Sequence, residues 1–151
     1  MLAGKIAVHL GRYGFHMGVA WALHEELYRL QNEDRALFLE DSLLRKKPLY
    51  SLSLTVQDDV EASELCQQFL IRSKELSDEQ LSHCAPFQEL SLFMNNKRVF
   101  TRTKMRIVQS IFSAKRALRR LPQTAHRDAL EELAQAFLNE QSGPDVDVGC
   151  D

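Results

Sequence analysis

Thr103-Lys104-Met105-Arg106-Ile107-Val108-Gln109-Ser110-Ile111-Phe112-Ser113-Ala114-Lys115-Arg116-Ala117-Leu118-Arg119-Arg120-Leu121 is the stretch on which the fold turns. Ile107, Ile111, Ala114, Leu118 and Leu121 step by 4, 3, 4 and 3, the spacing of a coiled-coil seam. At about 100° per residue, Arg106, Lys115, Arg116, Arg119 and Arg120 fall outside that seam, while Val108 and Phe112 broaden its apolar side. The spacing predicts a helix over 103–121 stopped by Pro122, and a mainly α chain in which that seam meets other helices as a bundle. Ile107, Ile111 and Leu118, with Arg116 and Arg120 beside them, form a candidate partner interface.

The same helix sits in an unusual electrical setting. From Leu90 to Arg127 there are 38 residues without an acid, and ten of the 19 lysines and arginines lie there. They are Lys97, Arg98, Arg102, Lys104, Arg106, Lys115, Arg116, Arg119, Arg120 and Arg127. The window carries +10 and the remainder −12, so the net charge of −2 hides two opposed halves. Concentrated positive charge opposes compaction and invites an anionic partner, either a polyphosphate or an acidic protein face. The competing explanation is that the basic helix lies beside acidic helices of its own chain.

Outward from there, helical signals dominate. Ala20, Leu23, Leu27 and Leu30 predict a helix over 19–31, and residues 35–47 predict a second, stopped by Pro48. The opening, 2–18, is spotted with Gly4, Gly11, Gly14 and Gly18 and has no clear period. Tyr50, Leu52, Leu54 and Val56 alternate with Ser51, Ser53 and Thr55, which predicts one short strand or an extended linker. Asp58 with Glu61 resembles a capping box opening a helix over 58–74, with Ala62, Leu65, Cys66, Phe69 and Leu70 inward. Ser77 with Gln80 forms a second capping box before a helix of about two turns, and Pro86 breaks it from another over 87–95. Two short helices around a tight break have the outline of a helix-turn-helix, although the usual turn glycine is missing. A last amphipathic helix spans 124–141. The expected organisation is a helical dimerisation and core region over 1–74, a helix-turn-helix-like region with the long basic helix over 75–141, and a disordered acidic tail over 142–151.

Little in the chain points to catalysis or to a cofactor. His9, His16 and His24 lack the companion carboxylate or cysteine that a metal site requires at helical spacing. The Gly11–Gly18 run has neither a Walker ending nor dinucleotide spacing. His83 and Cys84 are adjacent, so on a helix they diverge by about 100° and cannot form a nucleophile–base pair. The paired acids Glu25-Glu26, Asp58-Asp59 and Glu131-Glu132 read as solvated faces. No enzyme, metal or cofactor is expected. Cys66, Cys84 and Cys150 are isolated, which suits a reducing compartment. With no signal-peptide pattern and no apolar run of spanning length, a soluble cytoplasmic protein is expected.

The basic window therefore carries the functional expectation. Lys97, Arg98, Arg102, Lys104 and Arg106 cluster with Asn95, Asn96, Thr101 and Thr103, the palette of phosphate contacts. These residues are the candidate nucleic-acid site. Lys115 follows Ala114 of the seam, and its stem can lie along a partner helix.

Within 76–93, Leu76, Gln80, Leu81, Cys84-Ala85, Gln88, Leu90 and Phe93 resemble the C-terminal segment of the D-type subunit of the flagellar master transcription activator. A fainter echo lies in Leu30-Gln31 and Ala36-Leu37-Phe38-Leu39. The resemblance implies an all-helical dimer that joins a second, zinc-binding regulatory subunit and acts on promoter DNA. It implies no zinc site in this chain. Family members are mostly shorter, lack the 50–56 alternation and the basic final helix, and commonly have an apolar residue where Cys84 stands. The expected function is that of a transcription regulator binding DNA through the basic C-terminal half. The alternative is an adaptor or secretion-type chaperone that docks an acidic protein.

Overall fold

Four glycines do not keep the opening of the chain from being helical. In the computed structural model, which describes residues 2–32 and 34–143, α1 runs Leu2–Gln31 without a break. Each glycine costs a helix roughly 0.5–1 kcal/mol relative to alanine, so tertiary anchors must hold this one. Tyr13 Oη donates to Leu130 O at 2.9 Å, Ala20 is fully buried, and the Trp21 ring lies 5.6 Å from that of Phe137. A Cβ added at Gly11 or Gly14 meets nothing within 4 Å. Gly11→Ala and Gly14→Ala are therefore expected to stabilise the protein by about 0.5–1 kcal/mol each, seen as a higher urea midpoint. A lower midpoint would show that something close-packed needs those glycines.

Seven further helices follow, and no strand is present among the described residues: α2 Arg35–Leu44, α3 Tyr50–Val56, α4 Val60–Ser73, α5 Asp78–Leu81, α6 Ala85–Asn96, α7 Val99–Leu118 and α8 Ala125–Gln141. The chain is a mainly α helical assembly. It groups as two compact units, a central one of residues 23–104 and a terminal one of 1–22 with 105–151. The expected boundary between 74 and 75 is not where it divides. The boundaries fall inside α1 and α7, the two longest helices. Of the acidic tail expected over 142–151, residues 144–151 lie outside the described residues.

In the central unit, α4 packs on α6, with α2 and α3 against α4. Leu39, Phe69, Leu81, Phe87 and Leu90 form its core, and the rings of Phe69 and Phe87 are 5.7 Å apart. The expected strand over 50–56 is instead the two-turn helix α3. Its alternation conceals a helical face, because Ser51, Leu54 and Thr55 share one side and all three are buried. The buried hydroxyls are satisfied within the protein. Thr55 Oγ1 donates to Ser51 O at 2.9 Å, and Thr103 Oγ1 donates to Val99 O at 2.8 Å. With the Thr103 proton committed, Ser51 Oγ is the donor across its 3.2 Å contact with Thr103 Oγ1. The start of α3 is held by Glu26 of α1, whose carboxylate accepts from Ser51 N at 2.6 Å and Tyr50 N at 3.1 Å. A negative group on otherwise orphaned N–H donors stabilises a short helix that propensity alone does not.

Three helix ends use a left-handed residue that is not glycine. Lys46, Asp58 and Arg98 have φ of 53°, 56° and 51°, just beyond α2, α3 and α6. Asp58 therefore ends α3, and the N-cap of α4 is Asp59, whose Oδ1 accepts from Ala62 N at 3.0 Å. At the second capping box Gln80 Oε1 accepts from Ser77 N at 3.1 Å as its spacing requires, but α5 is a single turn, not two. The helix-turn-helix outline is lost with it. Pro86 does not break a helix but sits in the first turn of α6, where its missing donor costs nothing. The exposed side of α6 shows Gln88, Glu89, Leu92 and Asn95, with no cation.

Candidate nucleic-acid interface

The densest run of bases, 97–106, does not form one patch. Lys97 turns inward: its Nζ pairs with Asp59 Oδ2 at 2.9 Å, donates to Thr55 O, and lies 5.9 Å from the centroid of the Phe93 ring. The Lys97 and Asp59 side chains retain only 24% and 22% of their exposure, so this cation is spent on joining α3, α4 and α6. It leaves the phosphate-binding set. Lys104 is half-buried and engaged, and Thr103 is fully buried in the contact with Ser51. Asn95, Asn96, Arg98 and Arg102 are exposed on the central unit.

The Lys97 ammonium, and after it the Ala62 N–H, hold the Asp59 carboxyl below its ordinary value of 3.8. A carboxyl depressed in the folded state contributes stability that is complete above the unfolded value and is lost as pH falls through the folded one. Asp59→Asn is therefore expected to lower the urea midpoint near pH 7 and to flatten its decline below about pH 4. An unchanged acid limb would contradict this role for the pair.

In the terminal unit, the side of α7 opposite its seam is cationic. Arg106, Gln109, Phe112, Ser113, Lys115, Arg116 and Arg119 line an open groove of about 530 Å3. Arg116 donates to Ser113 Oγ at 3.0 Å, a contact between two residues of that lining. Arg106, Arg116, Arg119 and Arg120 are exposed. Arg29–Asp34, Arg45–Asp41, Arg72–Glu75 and Lys97–Asp59 are ion pairs, and among the described residues no carboxylate engages those four arginines, Arg98 or Arg102. Lys115 behaves differently. Its Nζ donates to Gln135 Oε1 at 2.5 Å, and it shares a second groove, of about 330 Å3, with Asp128, Glu131 and Glu132 of α8. Lying beside an acidic helix of the same chain thus describes Lys115, not the arginines.

The electrical division is weaker between the two units than along the linear window, though the sign is the same. Residues 1–22 and 105–151 hold eight lysines and arginines against seven acids, and residues 23–104 hold eleven against fourteen. The candidate partner interface separates along the same helix. Ile107, Ile111 and Leu118 are fully buried and offer nothing to a partner, because the seam is the protein's own core, whereas Arg116 and Arg120 remain accessible. Phe112, expected to broaden the seam, is 50% exposed. Its position about 140° around the helix from Ile107 is the signal that places it among the arginines. Gln109 and Arg119 join the groove for a related reason: clustering along the sequence favours neighbours in the chain over neighbours on a helix face.

Other chemistry is sparse. Burial pushes the Cys66 thiol up to about 11, which leaves it overwhelmingly protonated and a poor nucleophile at neutral pH. Among the described residues no group of three or more histidines, cysteines or acids is placed to hold a metal, and no helix is long and apolar enough to cross a membrane. Comparison with protein-family models, with curated proteins and with solved structures finds no match to this chain.

Proposed function

We propose that this protein is a non-enzymatic nucleic-acid-binding regulator that grips phosphates with the arginine side of α7. One observation carries the reading: Arg106, Arg116, Arg119 and Arg120 are exposed and have no carboxylate partner among the described residues of a chain with 21 acids. Guanidinium groups left unneutralised along α7 and the turn that follows it match a row of phosphates in charge and in hydrogen-bond geometry. The resemblance of the 76–93 stretch to a transcription-activator subunit supports regulation of transcription as the role, with DNA as the target and a homodimer or a second regulatory subunit as the assembly. Residues on α6 contribute little to such a grip, since its exposed side carries Glu89 and no cation.

A second reading is favoured by Lys115, which already sits beside the acids of α8. It makes the arginine side a dock for an acidic helix of another protein and the molecule an adaptor. An electrophoretic shift with mixed-sequence nucleic acid at low salt, run with and without excess polyglutamate, separates the two. A shift that polyglutamate barely reduces supports nucleic-acid binding. Absence of any shift, together with tight binding of polyglutamate, would support the adaptor.

A further inference from the structure

We infer that the α7 groove takes single-stranded nucleic acid, with one unpaired base stacked on Phe112 and the flanking phosphates on Arg106, Arg116 and Arg119. This rests on α7 being a phosphate-binding face and adds the form of nucleic acid that it recognises. Phe112 is a large apolar ring, half exposed, in the middle of a cationic groove. Among the described residues no ring, cation or hydrogen bond engages it. It stands at i with Arg116 at i+4 and Arg119 one turn further, so all three share one strip of the helix. The Arg119 N–H still bonds to Lys115 O at 3.2 Å, which carries the helical path through that position.

The occupant of such a strip must satisfy two demands together. An apolar protein surface that covered Phe112 would strip water from the adjacent guanidinium groups without replacing it. A purely acidic segment would answer the arginines and leave the ring in water. A nucleotide offers a flat apolar face and an anionic phosphate within one short unit, repeated along the chain. The form of the nucleic acid then follows from access to that face. In a duplex the faces are stacked on one another and only base edges and methyl groups reach the grooves. In a single strand the faces are free, and stacking on an aromatic side chain is the usual sequence-tolerant grip, with guanidinium groups adding to it. Arg106 to Arg119 spans about 20 Å along the helix, enough for a few nucleotides.

The test is fluorescence anisotropy of the full-length protein with labelled oligothymidylate, oligouridylate and a mixed-sequence duplex, for the wild type and for Phe112→Ala, Phe112→Tyr and Arg116→Gln/Arg119→Gln. Phe112 is too exposed for its loss to unfold the protein, and far-ultraviolet circular dichroism checks this for each variant. The wild type is expected to prefer the single strands about tenfold over the duplex. Phe112→Ala should weaken single-strand binding about tenfold or more and leave duplex binding nearly unchanged. Phe112→Tyr, which keeps a ring, should restore it. The arginine variant should weaken every probe. A tighter oligouridylate than oligothymidylate complex would assign the site to RNA, and the reverse to DNA, both within the inference. Duplex binding equal to single-strand binding, with Phe112→Ala neutral, would overturn the inference and leave the phosphate-binding face standing. Failure of all three probes to bind would overturn both.

Discussion

Glutamine in place of Arg106, Arg116 and Arg119 together is expected to lower affinity for nucleic acid at least 100-fold at about 50 mM salt. Each arginine that meets a phosphate releases condensed counterions, so its loss removes both affinity and part of the salt dependence. All three are exposed, and none takes part in an ion pair within the described protein, so the fold should not register the change. Arg45→Gln serves as the matched control. Arg45 is also exposed, but it is paired with Asp41 at 2.6 Å and lies on the central unit. Its replacement should leave binding within twofold of the wild type, on the order of the experimental scatter. If the control weakened binding as much as the triple variant, general charge and not the α7 face would be responsible.

The second large effect concerns the fold. Glu26→Ala is expected to destabilise the protein by about 2–4 kcal/mol, read from urea unfolding followed by circular dichroism. Glu26 is only 8% exposed and is the acceptor for the Tyr50 and Ser51 N–H groups. Without it the first turn of α3 has two donors with no partner, and the buried Ser51–Thr103 contact loses the helix that positions it. Glu26→Gln keeps one acceptor oxygen and should fall between the two. A loss below about 0.5 kcal/mol for Glu26→Ala would mean that α3 is held by packing alone.

How much of this was legible in the sequence varies with the kind of signal. The seam of α7 from Ile107 to Leu118, the Ser77–Gln80 capping box and the start of α8 at Thr124 depend on local chemistry and could be read from spacing, whereas the end of α7 falls at Leu118, three residues before the expected Leu121. The 50–56 segment could not. Its period-two pattern is genuine, but Glu26, which decides its conformation, lies 24 residues earlier in the chain. Helix ends at Lys46, Asp58 and Arg98 were hidden because each takes the left-handed conformation without the glycine that usually marks it. The long opening helix was hidden for the converse reason, since its four glycines sit in regular helix and mark no turn.

The candidate site was half legible. The charge asymmetry pointed to the right helix, but linear clustering drew attention to 97–106, where Lys97 is committed to Asp59 and Lys104 is engaged. The groove lies one to four turns further on and depends on a side of α7 that only a helical projection reveals. Arg106 is the one member of both sets. The fate of Lys97 was not deducible, because its partner Asp59 is 38 positions away and sits there as the N-cap of another helix.

The central claim is that the arginine side of α7 grips a row of phosphates. The most direct measurement is the slope of log affinity against log salt for wild type and for the Arg106, Arg116 and Arg119 triple variant. The wild type should lose roughly ten- to a hundredfold in affinity between about 50 and 200 mM salt, and the triple variant should have a slope smaller by about 0.7–0.9 for each arginine removed. Equal slopes for the two proteins would place the phosphate contacts elsewhere and contradict the claim.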